Sequence, residues 1–271
     1  MEQYNIVSLD KLLQLTHLDY LSVKISDQLL SQYDNEGESD PMITIIESFI
    51  TYYSTRSHFR LTFESNSTYT FIRKVILTPD KLILDITLDP SSYCSANELI
   101  MLVTNYINIE TIFYMGPLVE GEYLNKILRD ITIKRFECLS KDIDENNIFD
   151  LVDVVDEIKI YCTCLTEINR LNESFDPELY EVTTYDKLKV FDVPLNLNNL
   201  ERMISIYPNL EEVSFITNTN LDDLINMLSQ INNKISTINL YSLTSPVTNL
   251  YSLTSPVTNI NNITIIPYII N

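Results

Sequence analysis

The chain has 271 residues, with 38 acidic against 18 basic side chains and a formal net charge of −20. That balance opposes binding to nucleic acid or to an anionic membrane surface, since both need cations against phosphate. A hydrophobic fraction of 45% supports a packed core and excludes a disordered acidic tail. The three glycines, Gly37, Gly116 and Gly121, cannot build a phosphate-cradling loop, so nucleotide-binding readings lose their main requirement.

Met1 to Leu15 lacks the basic start and apolar run of a secretory signal, and no stretch has the length needed to span a membrane. Four cysteines (Cys94, Cys138, Cys162, Cys164) are few for a disulfide scaffold. The expected location is the cytoplasm, a reducing compartment.

In chain order, Leu9, Leu12 and Leu13 predict a short helix, and Leu18-x-x-Leu21-x-Val23 a strand. The acidic run from Asp34 to Pro41 reads as an exposed loop, broken by Gly37 and Pro41. Met42 to Tyr53 reads as a helix. Residues 1–55 are expected to be an N-terminal cap, covering the open apolar end of an array that fills residues 56–271.

The array announces itself as a repeated frame, apolar-x-x-apolar-x-apolar. It appears as His58-Leu61-Phe63, Ile83-Ile86-Leu88, Ile109-Ile112-Tyr114 and Leu128-Ile131-Ile133. It continues as Val155-Ile158-Ile160, Tyr185-Leu188-Val190, Leu210-Val213-Phe215, Ile235-Ile238-Leu240 and Ile260-Ile263-Ile265. The last three middle positions, 213, 238 and 263, sit 25 residues apart. A period of 20 to 50 residues signals a solenoid, in which each unit buries its apolar edge against its neighbours. Phe71 to Leu88, with Pro79-Asp80 between two apolar runs, admits two readings: a β-hairpin, or a helix end followed by a repeat strand.

Segments between the frames carry helical periodicity. Leu99, Leu102, Val103 and Tyr106 follow Ser95, which has capping-box spacing to Glu98. Ile148, Leu151, Val152 and Val155 follow Asn147. Leu197, Leu200, Met203 and Ile204 follow Asn196, and Leu221, Leu224, Ile225 and Leu228 follow Asn220. Pro208 marks one return from helix to strand. Near the end, Asn239–Thr248 recurs unchanged as Asn249–Thr258, either an insertion that extends the array or a replication slip in a tolerant edge.

Little chemistry is visible. His17 and His58 are the two histidines, and neither has a metal-ligand spacing; His58 fills a frame position and is expected to be packed. Cys162-x-Cys164 would need two more soft ligands to hold a metal. No cofactor is expected. Strand alternation instead points to the outward residues. Phe113, Met115, Tyr161 and Phe191 are apolar or aromatic there, and Lys134, Lys159, Lys187 and Lys189 gather scarce cations among them. Together they form the candidate partner-binding patch, with the character of interface anchors.

The frames resemble the leucine-rich-repeat family. Leu210-Glu211-Glu212-Val213-Ser214-Phe215-Ile216-Thr217-Asn218 is the nearest match and ends in the family's asparagine, as does His58 to Asn66. Elsewhere Pro117, Phe136, Thr163 and Val193 stand at that position, so the units are irregular. The resemblance covers roughly residues 55–271. It implies an α/β solenoid of about eight or nine units with a parallel concave sheet and convex helices, and a non-catalytic protein-binding role. The composition, with 17 tyrosines and no tryptophan, fits an AT-rich genome and is similar to that of proteins of large insect-infecting DNA viruses such as insect poxviruses. The expected molecule is a monomer binding a protein partner, from a host or otherwise, that has a basic or mixed surface. Two other readings stay open: a ubiquitin-ligase substrate adaptor with a docking module in residues 1–55, and an enzyme with an unrecognised site.

Overall fold

The computed structural model describes residues 5–6, 8–33, 39–87, 92–116, 128–131, 133–139, 154–162, 164–174, 187–217, 235–242, 258–260 and 263–269. They form an α/β fold with a mostly parallel sheet. The chain divides into two compact units, Met1–Phe136 and Glu137–Asn271.

The first unit contains β1 (Asn5–Ile6), α1 (Leu9–Leu13), β2 (Tyr20–Ile25), α2 (Asp27–Leu30), α3 (Pro41–Tyr53) and β3 (Arg60–Glu64). It continues with β4 (Ile72–Leu77), β5 (Lys81–Ile86), α4 (Ser92–Tyr106) and β6 (Thr111–Met115). Strand order follows the chain from β1 to β6. The pairs β1–β2, β2–β3 and β5–β6 are parallel, whereas β3–β4 and β4–β5 are antiparallel. The sheet is therefore not uniformly parallel, as the repeat reading expected. Of the two readings of Phe71–Leu88, the hairpin holds. Pro79 presets the second position of the turn from Thr78 to Lys81. The Thr78 amide donates to the Lys81 carbonyl at 2.9 Å, and the Lys81 amide donates back to the Thr78 hydroxyl at 3.1 Å.

Helix α3 shows why this unit coheres. Met42, Ile45, Ile46, Phe49, Ile50 and Tyr53 recur at helical spacing and are fully buried. The Phe49 ring packs edge-on to Phe63 of β3 at 5.3 Å. The helix starts at Pro41, a favoured first position, and Asp40 caps it. The buried Asp40 carboxylate accepts from the Met42 amide (3.0 Å), the Thr70 hydroxyl (2.6 Å) and the Phe71 amide (2.8 Å). It thus joins the helix start to the chain leading into β4. Asp40→Ala is expected to lower unfolding free energy by about 3 kcal/mol, combining a lost cap with stranded donors. Urea unfolding followed by circular dichroism would read this, and a loss under about 1 kcal/mol would count against the linking role.

Strand β7 (Arg135–Leu139) starts at the division. The second unit has β8 (Glu157–Tyr161), α5 (Leu165–Ser174), β9 (Val190–Leu195), α6 (Leu197–Ile206), β10 (Glu212–Thr217) and β11 (Thr237–Ser242). Strands β12 (Thr258–Ile260) and β13 (Ile263–Ile269) follow. Its order is β8-β9-β10-β11-β13-β12, parallel except for the last pair. Asn196 caps α6 as expected, accepting from the Asn199 amide at 2.9 Å. Ser95, by contrast, lies inside α4 and is not its cap. The helices expected after Asn147 and Asn220, the asparagine at 218 and the duplicated residues 243–257 lie outside the described residues.

One hydrogen-bond device recurs at the strand starts. A single carbonyl accepts from two successive amides of the next strand start. In the first unit the Asp80 carbonyl takes Glu110 and Thr111, and the Glu110 carbonyl takes Lys134 and Arg135. In the second, Asp156 takes Lys189 and Val190, Lys189 takes Glu211 and Glu212, and Glu211 takes Ser236 and Thr237.

This device fixes the true frames. The buried pairs following it are Ile112/Tyr114, Phe136/Cys138, Phe191/Val193, Val213/Phe215 and Ile238/Leu240, and the strands that follow the first carbonyls bury Leu82/Leu84 and Ile158/Ile160. Three expected frames are thereby displaced: those centred on Ile86, Ile131 and Leu188. In the final one, Ile265 rather than Ile263 pairs with Ile238. Residues 128–130 are helical, not strand. The reason is local: an Ile-rich sequence offers several apolar triplets a few residues apart, and the backbone ladder selects among them.

Candidate binding face

In the second unit, strand alternation sends Ile158, Phe191, Val213 and Ile238 into the core. Lys159 and Tyr161 of β8, Asp192 of β9, Glu212 and Ser214 of β10, and Asn239 and Tyr241 of β11 take the other face. Lys159 stands opposite Asp192, and Ser214 opposite Asn239. Asp192 is the hub. Its Oδ2 meets the Lys159 ammonium at 2.6 Å. Its Oδ1 accepts from the Ser214 hydroxyl, from the Tyr241 phenol at 3.3 Å and from the Asn239 amide at 3.5 Å. The Asn239 amide also donates to Glu212 at 2.8 Å.

Asp192, Ser214 and Asn239 are buried, so these bonds are what makes a charged group tolerable there. Lys159 and Tyr161 reach the surface. The Lys159 ammonium lies 5.1 Å from the centre of the Tyr161 ring, and the phenol donates to Glu137 of β7 at 3.2 Å. Partial burial raises the Tyr161 pKa above the ordinary phenol value, and the negative charge of Glu137 raises it further. The ring is 37% exposed, yet both its edge and its face are held.

The first unit presents a different pattern. Ser22, Thr62, Ile76, Ile83 and Phe113 stand in register across β2, β3, β4, β5 and β6, all half-buried. Beside them run Lys24, Glu64, Lys74, Asp85 and Met115, with alternating charge up to Asp85. Opposite charges facing each other across strands are favourable. Lys74 and Glu64 close to 2.5 Å, and the Lys81 ammonium sits 5.6 Å from the Phe113 ring centre.

No known protein family, curated protein or solved structure matches this chain. The face must therefore be read from its own geometry.

Of the residues expected to bind a partner, Phe113 and Met115 lie half-buried on β6, and Lys159 and Tyr161 lie together on β8. Lys134 and Lys189 are exposed but precede β7 and β9, where their amides serve the carbonyl ladder. Lys187 is also outside the strand, and its ammonium donates to the Val154 carbonyl. Phe191 is a correction: it is fully buried, because the true frame is Leu188-x-x-Phe191-x-Val193 and turns its ring into the core. The same shift puts Asn196 at the asparagine position and exchanges Phe191 for Asp192 on the outer face. Asp192 was missed for this reason, and the Leu188-to-Asn196 spacing was the signal that could have found it; Glu137 was missed because the frame was centred on Ile131 rather than on Phe136. His58 is exposed, not packed; Phe59 takes the buried place beside it.

Among the described residues, no group of three or more His, Cys, Asp or Glu side chains is placed to hold a metal, and no helix is long and apolar enough to cross a membrane.

Proposed function

We propose that the chain is a non-catalytic protein-binding module of leucine-rich-repeat-like architecture. Its partner would lie on the sheet face that carries Lys159 and Tyr161, with Phe113 and Met115 serving the same role in the first unit. The observation that carries this reading is Tyr161. Its ring is exposed on a polar face, held by Glu137 through the phenol and flanked by Lys159. An aromatic side chain fixed before binding loses little entropy on contact and makes an efficient anchor. The net charge of −20 favours a partner with a basic or mixed surface. A cytoplasmic monomer is part of the same proposal.

The test is affinity capture from a cell lysate, read by mass spectrometry, with wild type beside Tyr161→Ser and Phe113→Ser. Each position lies outside the core of its own unit, so the variants should keep the wild-type circular dichroism. A protein retained by the wild type and depleted by at least tenfold with Tyr161→Ser is expected, since anchor truncation costs more than about 1.4 kcal/mol. Identical capture by all three proteins would reject this face.

A further inference from the structure

We infer that Asn239 and Glu212 form a recess for a lysine ammonium presented by the partner chain. This rests on the sheet-face reading above and specifies what that face recognises.

The argument starts from an unmet acceptor. Asn239 is 2% exposed, and its Oδ1 is buried with no hydrogen-bond partner. Turning the amide over would not relieve it. The Nδ2 group already faces two carboxylate oxygens, Glu212 Oε1 at 2.8 Å and Asp192 Oδ1 at 3.5 Å, and an oxygen placed there would be repelled. Orientation is therefore fixed by the neighbours, and the leftover acceptor is a consequence. A buried polar atom left in this state is costly, and a donor brought from outside recovers that cost.

Charge selects the donor. Asp192 is matched by Lys159, but Glu212 is met by the Asn239 amide and by no cation among the described residues. One negative charge is left over beside an orphaned acceptor. A neutral donor would satisfy the acceptor alone, whereas a cation satisfies both. The Asn239 Oδ1 lacks a donor, and the Glu212 carboxylate bonded to the same amide carries the unmatched charge. A compact ammonium offers three donors to such a set, while a planar guanidinium presents its donors in a rigid fork suited to one carboxylate. Glu212 is half-exposed and forms the rim. Rotation of a half-exposed glutamate is a picosecond-to-nanosecond event and opens the way to Asn239.

The probe is the tripeptide Gly-Lys-Gly, acetylated and amidated at its ends, at about 0.15 M salt, where long-range surface attraction is screened. The readout is the Asn239 side-chain amide signal in nitrogen–proton NMR, assigned by its absence in Asn239→Ser. Saturable shifting of that signal is expected, weakened about tenfold or more in Glu212→Gln, because a hydrogen bond to a charged group is lost. Gly-Lys-Gly acetylated on the lysine nitrogen should leave it unmoved. No shift at saturating peptide, or equal affinity in Glu212→Gln, overturns the recess. If Tyr161→Ser abolishes partner capture while the tripeptide fails, the recess is wrong and the face stands. If the tripeptide binds while capture ignores Tyr161, the recess stands without the wider face.

Discussion

Phe191→Ala is expected to lower unfolding free energy by about 3–5 kcal/mol, the range for removing a buried aromatic ring from a packed core. Phe191 is fully buried and pairs in register with Ile158 on one side and Val213 on the other. Its removal would open a cavity at the meeting of three strands that cannot collapse without breaking the ladder on both sides. Tyr161→Ser, on the outer side of the neighbouring strand, should cost about 1 kcal/mol or less by the same urea measurement. The contrast between the two aromatics is the point of the experiment. Equal losses would mean that the frame through β9 is wrong and that Phe191 is after all on the outer face.

Asp192→Ala should cost about 3 kcal/mol, the scale for removing one partner from a buried ion pair. The loss has two parts. Lys159 keeps its charge without its carboxylate, and Ser214, Asn239 and Tyr241 lose their shared acceptor. Lys159 is partly exposed and can turn its ammonium to water, which limits the first part. The second part has no such escape, because Ser214 and Asn239 are buried. A double variant, Asp192→Ala with Lys159→Met, should therefore recover only a fraction of the loss. Full recovery would show that the pair alone matters and that the hydrogen-bonded row is incidental. Both results come from thermal or urea melts of purified protein.

These two residues also mark where the sequence could be read and where it could not. The frames at Leu21, Leu61, Ile112, Ile158, Val213 and Ile238 were legible, and the middle and last residue of each is buried. Around Leu188 two triplets overlap, Tyr185-Leu188-Val190 and Leu188-Phe191-Val193. Periodicity cannot separate them, since both satisfy the same pattern. A shift of three residues reverses which side of the strand each residue takes. Phe191 thus passed for a surface anchor, and Asp192 for a core position. The hairpin at Pro79 was legible as one of two options, since a turn signal identifies a bend without stating which strands it joins. Alternation alone places Lys159, Ser214 and Asn239 on the outer side of their strands, but their bonds to Asp192 were not legible, because the four are far apart along the chain and meet only through register.

The shared carbonyl at the starts of β6, β7, β9, β10 and β11 separates the register of a strand from the length of chain that precedes it. Alignment of a strand is set within two residues of its beginning, by contact with the strand before it. The length of chain spent between strands does not enter. Segments between strands can then lengthen, shorten or duplicate during descent while the sheet keeps its order. The repeated stretch, residues 239–258, begins in β11, and a duplication there adds length without altering the register of β11 on β10. A lineage built this way would lose recognisable spacing long before it lost its fold, and its members would stop resembling one another in sequence first.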